Sequence, residues 1–237
     1  MNVMEFGFNL IAGLSERRSR AVETGRIAEK LYAVKDRDVN LFVYLGEEGA
    51  LCIDSGYKNS RQLHREFDRI GVDPRTVTQL FLTHADVDHA GGASLHSREG
   101  LFNQATVYMS RDEEQMIDGR TRRQFLLRVP ALHRDCKLLD DGDVVGIGKT
   151  TVRAIATPGH TPGSMSFLVD GTVLFTGDAL ILRRGRVDGS PRVWNMDAVA
   201  QRQSIRKLAA LDNVSLLCTA HTRCTHDFGY AMAQWRD

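Results

Sequence analysis

A chain of 237 residues, 42% of them hydrophobic, is long enough to bury a sizeable core without disulfide staples, and a single domain over residues 1–237 is the expectation. Lys and Arg number 31 against 30 Asp and Glu, so the net charge of +1 supplies no global field toward nucleic acid or an acidic membrane surface. The four cysteines, Cys52, Cys136, Cys218 and Cys224, form no CxxC pair, and Cys52 and Cys218 lie in apolar runs, which reads as reduced thiols of a cytoplasmic protein.

Near the N-terminus, residues 6–14 form a short apolar stretch that is followed by Arg17, Arg18 and Arg20, the reverse of an export signal. No run approaches the roughly 20 apolar residues that a membrane span needs. Residues 1–35 therefore read as a polar lead-in packed on or near the domain. Apolar runs at 39–45 and 50–53 flank Gly46-Glu47-Glu48-Gly49, a hairpin that ends in Asp54-Ser55-Gly56. Leu63, Phe67 and Ile70 sit at i, i+4 and i+7, one stripe of an amphipathic helix, and 77–83 reads as a buried strand. The charged stretch 111–128 is predicted to be helical, and 152–157 returns to strand before Pro158-Gly159.

A second hairpin, 164–169 and 172–175 around Asp170-Gly171, leads into Thr176-Gly177-Asp178. Both hairpins deliver an aspartate beside a small residue, a weak internal duplication that suggests two sheet layers with strand ends at one shared edge. The expected class is α/β, with sheets inside and helices outside and no linker to divide it.

The densest chemistry is Thr83-His84-Ala85-Asp86-Val87-Asp88-His89-Ala90-Gly91-Gly92, four potential metal ligands in six positions at the C-terminal end of a predicted strand. In extended chain His84, Asp86 and Asp88 share one side, while His89 faces elsewhere unless the chain turns, which Gly91-Gly92 permits. A polar loop with Asp88 as helix N-cap and His84 as a core histidine is the competing reading. Four such groups entered from an apolar strand, however, face like-charge and desolvation costs unless a cation lies between them. His160 in Pro158-Gly159-His160, Asp178 in Gly177-Asp178 and His221 in Thr219-Ala220-His221 each end an apolar strand beside small residues that let backbone approach a metal closely.

In this order the motifs resemble the metallo-β-lactamase superfamily, whose HxHxDH signature is followed by a Gly-His, a Gly-Asp and a C-terminal His; the resemblance runs over about 39–221. It implies a four-layer αββα sandwich with a binuclear metal site at one edge of the two sheets. Carried over, His84, Asp86 and His160 bind the first ion, Asp88, His89 and His221 the second, and Asp178 bridges, with Asp54 orienting a ligating imidazole from behind. One position departs from the signature, because Asp86 stands where the family has histidine, giving HxDxDH. Three carboxylates and a bridging hydroxide then balance two divalent ions, which favours iron or manganese over the family's usual zinc and makes the centre less electrophilic.

The resemblance implies a hydrolase in which a metal-bridging hydroxide cleaves an ester, lactone, thioester or phosphodiester, with Asp88 orienting the nucleophile and passing a proton to the leaving group. The alternative is a flavodiiron-like diiron oxidoreductase acting with a separate electron donor, since the chain has no room for a flavin domain; a non-catalytic binding module comes third. Arg183, Arg184, Arg186 and Trp194 are candidate substrate-binding residues in a loop that also holds Arg192. They imply a small-molecule substrate, anionic if the arginines engage it, and a solvated basic loop is the competing reading. Neither nucleic acid nor membrane is expected as a partner, and a homodimer is compatible with the sequence but not fixed by it.

Overall fold

The computed structural model describes residues 21–94, 100–123, 132 and 136–236. Its first sheet holds β1 (Gly25–Ala28), β2 (Leu31–Asp36), β3 (Val39–Gly46), β4 (Gly49–Ile53), β5 (Val77–Phe81), β6 (Thr106–Ser110) and β7 (Lys137–Leu139), hydrogen-bonded in that order. Pairing is antiparallel from β1 to β4 and parallel from β4 to β7. The second sheet is built from β8 (Val144–Ile147), β9 (Thr150–Ala156), β10 (Met165–Val169), β11 (Val173–Phe175), β14 (Leu216–Cys218) and β15 (Cys224–Thr225), in the spatial order β15-β14-β11-β10-β9-β8. A separate hairpin, β12 (Ile181–Arg183) with β13 (Arg186–Asp188), follows β11.

Strand periodicity sorts the side chains into layers. Phe42, Ile53 and Phe81 point inward and meet Phe167, Phe175 and Cys218 of the other sheet in one buried cluster. Their neighbours Leu41, Val43, Cys52 and Leu80 point outward onto Leu63 and Phe67 of helix α1 (Arg61–Ile70). On the far side Leu168, Leu174 and Leu217 pack against Ile205 and Leu208 of α3 (Ala198–Ala209) and against Phe228 and Met232 of α4 (Phe228–Met232). Helix, sheet, sheet and helix are thus successive layers, the αββα architecture that the resemblance implied. The four cysteines are unbridged, and Cys52 and Cys218 are buried within strands.

Two expectations need correction. The lead-in is not merely polar approach chain, since β1 and β2 are integral strands of the first sheet and Leu31 and Ala33 lie in the inter-sheet core. Charged residues at Lys30, Lys35 and Asp36 mask the apolar alternation there. The helix expected over 111–128 is also far shorter: a 3-10 turn (Arg111–Glu113) runs into α2 (Glu114–Ile117) and stops before Gly119, whose φ of 77° no helix accommodates. Residues 124–128 of that expectation, and the apolar and basic segments at 6–20, lie outside the described residues. Among the described residues no helix is long and apolar enough to cross a membrane.

Candidate metal centre

The strand ends of both sheets meet at one edge. Backbone bonds from Met165 N to Thr83 O and from Asn40 N to Ala220 O, each 2.8 Å, tie the two sheets together beside it. After β5 the chain leaves the sheet at Leu82, and the amides of His89 and Ala90 both donate to the carbonyl of Asp86. That turn, tighter and earlier than Gly91-Gly92, sends Asp86 and Asp88 to different partners. The two glycines serve another purpose, because a Cβ at Gly91 would stand 2.2 Å from Val87 O and one at Gly92 would stand 2.2 Å from Ser55 O.

His84, Asp86 and His160 bring one nitrogen or oxygen each into a common group, as do Asp88, His89 and His221, and as do His84, His89 and Asp178. Within these groups His84 Nε2 is 3.5 Å from Asp86 Oδ2, His221 Nε2 is 3.3 Å from Asp88 Oδ2 and His89 Nε2 is 3.7 Å from Asp88 Oδ2. Asp178 divides its oxygens, Oδ1 standing 3.4 Å from both His89 Nε2 and His221 Nε2, and Oδ2 standing 3.4 Å from His160 Nε2. Most of these separations are long for hydrogen bonds. They match donor atoms sharing a tetrahedral ion, since ligands about 2.1 Å from a centre lie about 3.4 Å apart.

Three buried atoms of these residues lack a hydrogen-bond partner: His160 Nδ1, and two that stand 3.4–3.5 Å from neighbouring donor atoms of the cluster, His84 Nε2 and Asp178 Oδ1. Buried polar atoms are seldom left so, and a pair of cations would satisfy the latter two. The donor set of imidazoles and carboxylates therefore fits divalent metal ions.

Three of the four imidazoles are oriented from behind. His89 Nδ1 lies 2.8 Å from Asp54 Oδ2, His221 Nδ1 lies 2.8 Å from the carbonyl oxygen of Asp38, and His84 Nδ1 lies 3.1 Å from Thr83 Oγ1. A carboxylate and a carbonyl can only accept, so the Nδ1 protons of His89 and His221 point outward and the Nε2 atoms face the cluster. Asp54 is held in the left-handed region, φ 64°, where its Oδ1 also accepts from the amide of Thr83 at 2.8 Å.

Without a cation, charge settles on the histidines. Burial opposes protonation of His89, but the carboxylates of Asp54, Asp88 and Asp178 outweigh it and push the imidazole up to about 9. His221 rises well above its usual range against burial, through Asp178 and Asp88. Burial likewise works against ionisation of Asp86 and Asp178, yet the surrounding histidines hold both well below the ordinary carboxylate range. His84, buried and facing His89, is shifted down.

Residues 34–221 match the family model of the metallo-beta-lactamase superfamily. The chain belongs to this superfamily. An uncharacterised protein of Mycobacterium leprae is 31% identical over 201 residues, covering 78% of this chain and 87% of that protein. A hydroxyacylglutathione hydrolase of Cereibacter sphaeroides is 31% identical over 147 residues, covering 61% of this chain but only 48% of the relative, so the matched region spans about half of that enzyme. Among solved structures, a metallo-beta-lactamase of Cronobacter sakazakii is similar with a TM-score of 0.68, 25% identity and coverage of 88% of this chain and 81% of that one. A B3 metallo-beta-lactamase with an active-site glutamic acid shares the fold at a TM-score of 0.70 and 23% identity, covering 94% of this chain and 89% of that chain.

Two charged residues of this superfamily member escaped the sequence reading. Glu113 is buried at the end of the 3-10 turn and accepts from Ala85 N at 2.8 Å, Thr161 Oγ1 at 2.8 Å and Gly163 N at 3.0 Å. It therefore clamps the loop between His84 and Asp86 to the loop that follows His160. Arg123, 6% exposed, places Nη2 at 2.6 Å from Asp86 Oδ2 and 3.0 Å from His160 Nε2. Both stand in the charged stretch read as a helix, where nothing in the spacing marks one acid or one arginine from the next.

The loop arginines are placed around a neighbouring hairpin. Arg183 and Arg186 face each other across β12 and β13, Arg183 lies 3.9 Å from Asp188, and the Arg186 guanidinium sits 4.4 Å above the Tyr230 ring. Arg184 occupies the turn between the strands at φ 51°. The hairpin abuts the His221 loop through Leu182 N and Thr222 Oγ1, 2.9 Å apart. Trp194 is nearer the cluster, its carbonyl accepting from Arg123 Nη1 at 2.9 Å while the residue remains 36% exposed beside the more exposed Val193.

Proposed function

We propose that this superfamily member is a binuclear metal-dependent hydrolase, with His84, Asp86 and His160 holding one ion, Asp88, His89 and His221 holding the other, and Asp178 shared between them. The single observation that carries this reading is the division of Asp178, one oxygen toward His89 and His221 and the other toward His160. Two divalent ions bound there supply Lewis acidity and ionise water at neutral pH.

The chain's own residues supply position and proton transfer. Asp88 is held ionised by His89 and His221 against the cost of its burial, so it remains a proton acceptor at neutral pH. It takes a proton from the attacking water and returns it to the leaving group. Asp54, the Asp38 carbonyl and Thr83 hold the imidazoles of His89, His221 and His84 in place, so that these three need not rotate during turnover.

For the substrate we propose a small acyl compound, a thioester first and then an ester or lactone, with a phosphodiester as the remaining candidate. The thioester is favoured by the Cereibacter sphaeroides relative, named for hydroxyacylglutathione hydrolysis. Val193 and the Trp194 ring offer an apolar rim, and Arg183, Arg184 and Arg186 an outer positive hairpin for an anionic end of the substrate.

The test is to strip the full chain of metal, reload it with zinc, manganese or iron, count bound ions and assay chromogenic thioesters, esters, lactones and phosphodiesters. Two ions per chain and turnover of at least one acyl class are expected. Fewer than two bound ions under saturating metal, or no turnover of any of them, would overturn the proposal.

A further inference from the structure

The cluster holds one carboxylate more than the histidine form of its motif, and a buried guanidinium stands against that carboxylate. Arg123 Nη2 lies 2.6 Å from Asp86 Oδ2, and the two side chains are 4% and 12% exposed. Nη1 is fixed independently, donating to His160 O at 2.8 Å and to Trp194 O at 2.9 Å. A guanidinium stays charged at any pH the protein tolerates, and burying it costs several kcal/mol unless an anion shares the site. Asp86 is that anion.

Counting charge over the cluster, Asp86, Asp88 and Asp178 contribute three negative charges and Arg123 removes one, which leaves two. A centre with a neutral histidine at position 86 and no arginine also has two. We propose that Asp86 and Arg123 together are the charge equivalent of that histidine, so that the HxDxDH centre meets its cations with the electrostatics of an HxHxDH centre. The inference rests on the reading of these residues as metal ligands.

It also replaces the expectation that Asp86 alone makes the centre harder and less electrophilic. Asp86 Oδ2 shares its charge with Arg123, so it donates less to a bound cation than an unpaired carboxylate would. His160 Nε2 has a single lone pair, now 3.0 Å from Arg123 Nη2. His160 as a ligand would have to give up that contact, whereas Nη1 of Arg123 is held separately by the two carbonyls.

The experiment compares the metal-stripped full chain with Arg123→Met, Asp86→His and the Asp86→His/Arg123→Met double variant, titrating zinc against a chromophoric chelator. Removing the arginine should tighten zinc about 10-fold or more, Asp86→His alone should weaken it by a similar factor, and the double variant should return to within about 3-fold of the parent. Weaker or unchanged affinity in Arg123→Met, or a double variant that stays as weak as Asp86→His, would overturn the inference. Arg123→Gln carries the same expectation should the methionine variant not fold, and Arg123→Lys, which keeps the charge, should stay near the parent. A parent chain that binds no zinc would instead overturn the proposed function, so the two failures are told apart.

Discussion

Asp54 Oδ2 and His89 Nδ1, 35 positions apart in sequence, stand 2.8 Å from each other with both side chains almost wholly buried. One directly follows β4 and the other lies past β5, so the parallel pairing of these strands is what brings the orienting carboxylate behind the imidazole. Asp54→Ala should leave His89 free to rotate or change tautomer and should weaken zinc binding about 10- to 100-fold, measured by chelator competition. Unchanged affinity would remove Asp54 from this role.

Asp88→Asn keeps the size of the side chain and removes its basicity. If Asp88 carries the proton, kcat should fall about 100-fold or more when compared at equal metal content, with a smaller change in KM. Retention of the parent kcat would require another proton carrier.

His89 sets a pH dependence that metal should abolish. Its folded-state value, about 9, lies above the ordinary 6.5, so its stabilising contribution to the metal-free protein is complete below about pH 6.5 and is lost as pH rises through about 9. The melting temperature of the metal-free chain should therefore drop by about 5 °C or more between pH 6.5 and 9.5, while the metal-loaded chain, whose His89 is already deprotonated, should show no such fall. The same linkage requires zinc uptake near pH 7 to release protons, readable in a weakly buffered titration.

Glu113→Ala would strand the buried amides of Ala85 and Gly163 and leave Thr161 Oγ1 with Ser164 Oγ alone. A loss of about 3 kcal/mol is expected, a drop of roughly 6–12 °C in melting temperature for a chain of this size, together with weaker metal binding because both ligand loops are released.

Changing Arg183, Arg184 and Arg186 together to alanine should raise KM for an anionic substrate several-fold and leave kcat within about 2-fold, by loss of outer charge alone. An unmoved KM would assign the hairpin to solvent.

The seven clustered side chains were legible because four of them, His84, Asp86, Asp88 and His89, crowd into six positions after one apolar run, and the other three each follow an apolar run of their own. Phe42, Ile53 and Phe81 lie in apolar runs that read as strands, and His84, His160, Asp178 and His221 each come shortly after such a run ends. Arg123 and Glu113 were not legible. Each is one charge in a stretch of many, and its meaning comes wholly from a tertiary neighbour: the Asp86 carboxylate for Arg123, three loop donors for Glu113. The turn at Asp86 was half legible, since the need for a change of direction followed from the ligand spacing but its position depended on backbone bonds to the Asp86 carbonyl.

The order in which the cluster is synthesised bears on how the protein matures. His84 to His89 are synthesised first, His160 and Asp178 much later, and His221 last, just after the strand that pairs with β11. Metal capture is therefore expected to conclude folding rather than seed it, and a chain interrupted before His221 should be beyond rescue by added zinc.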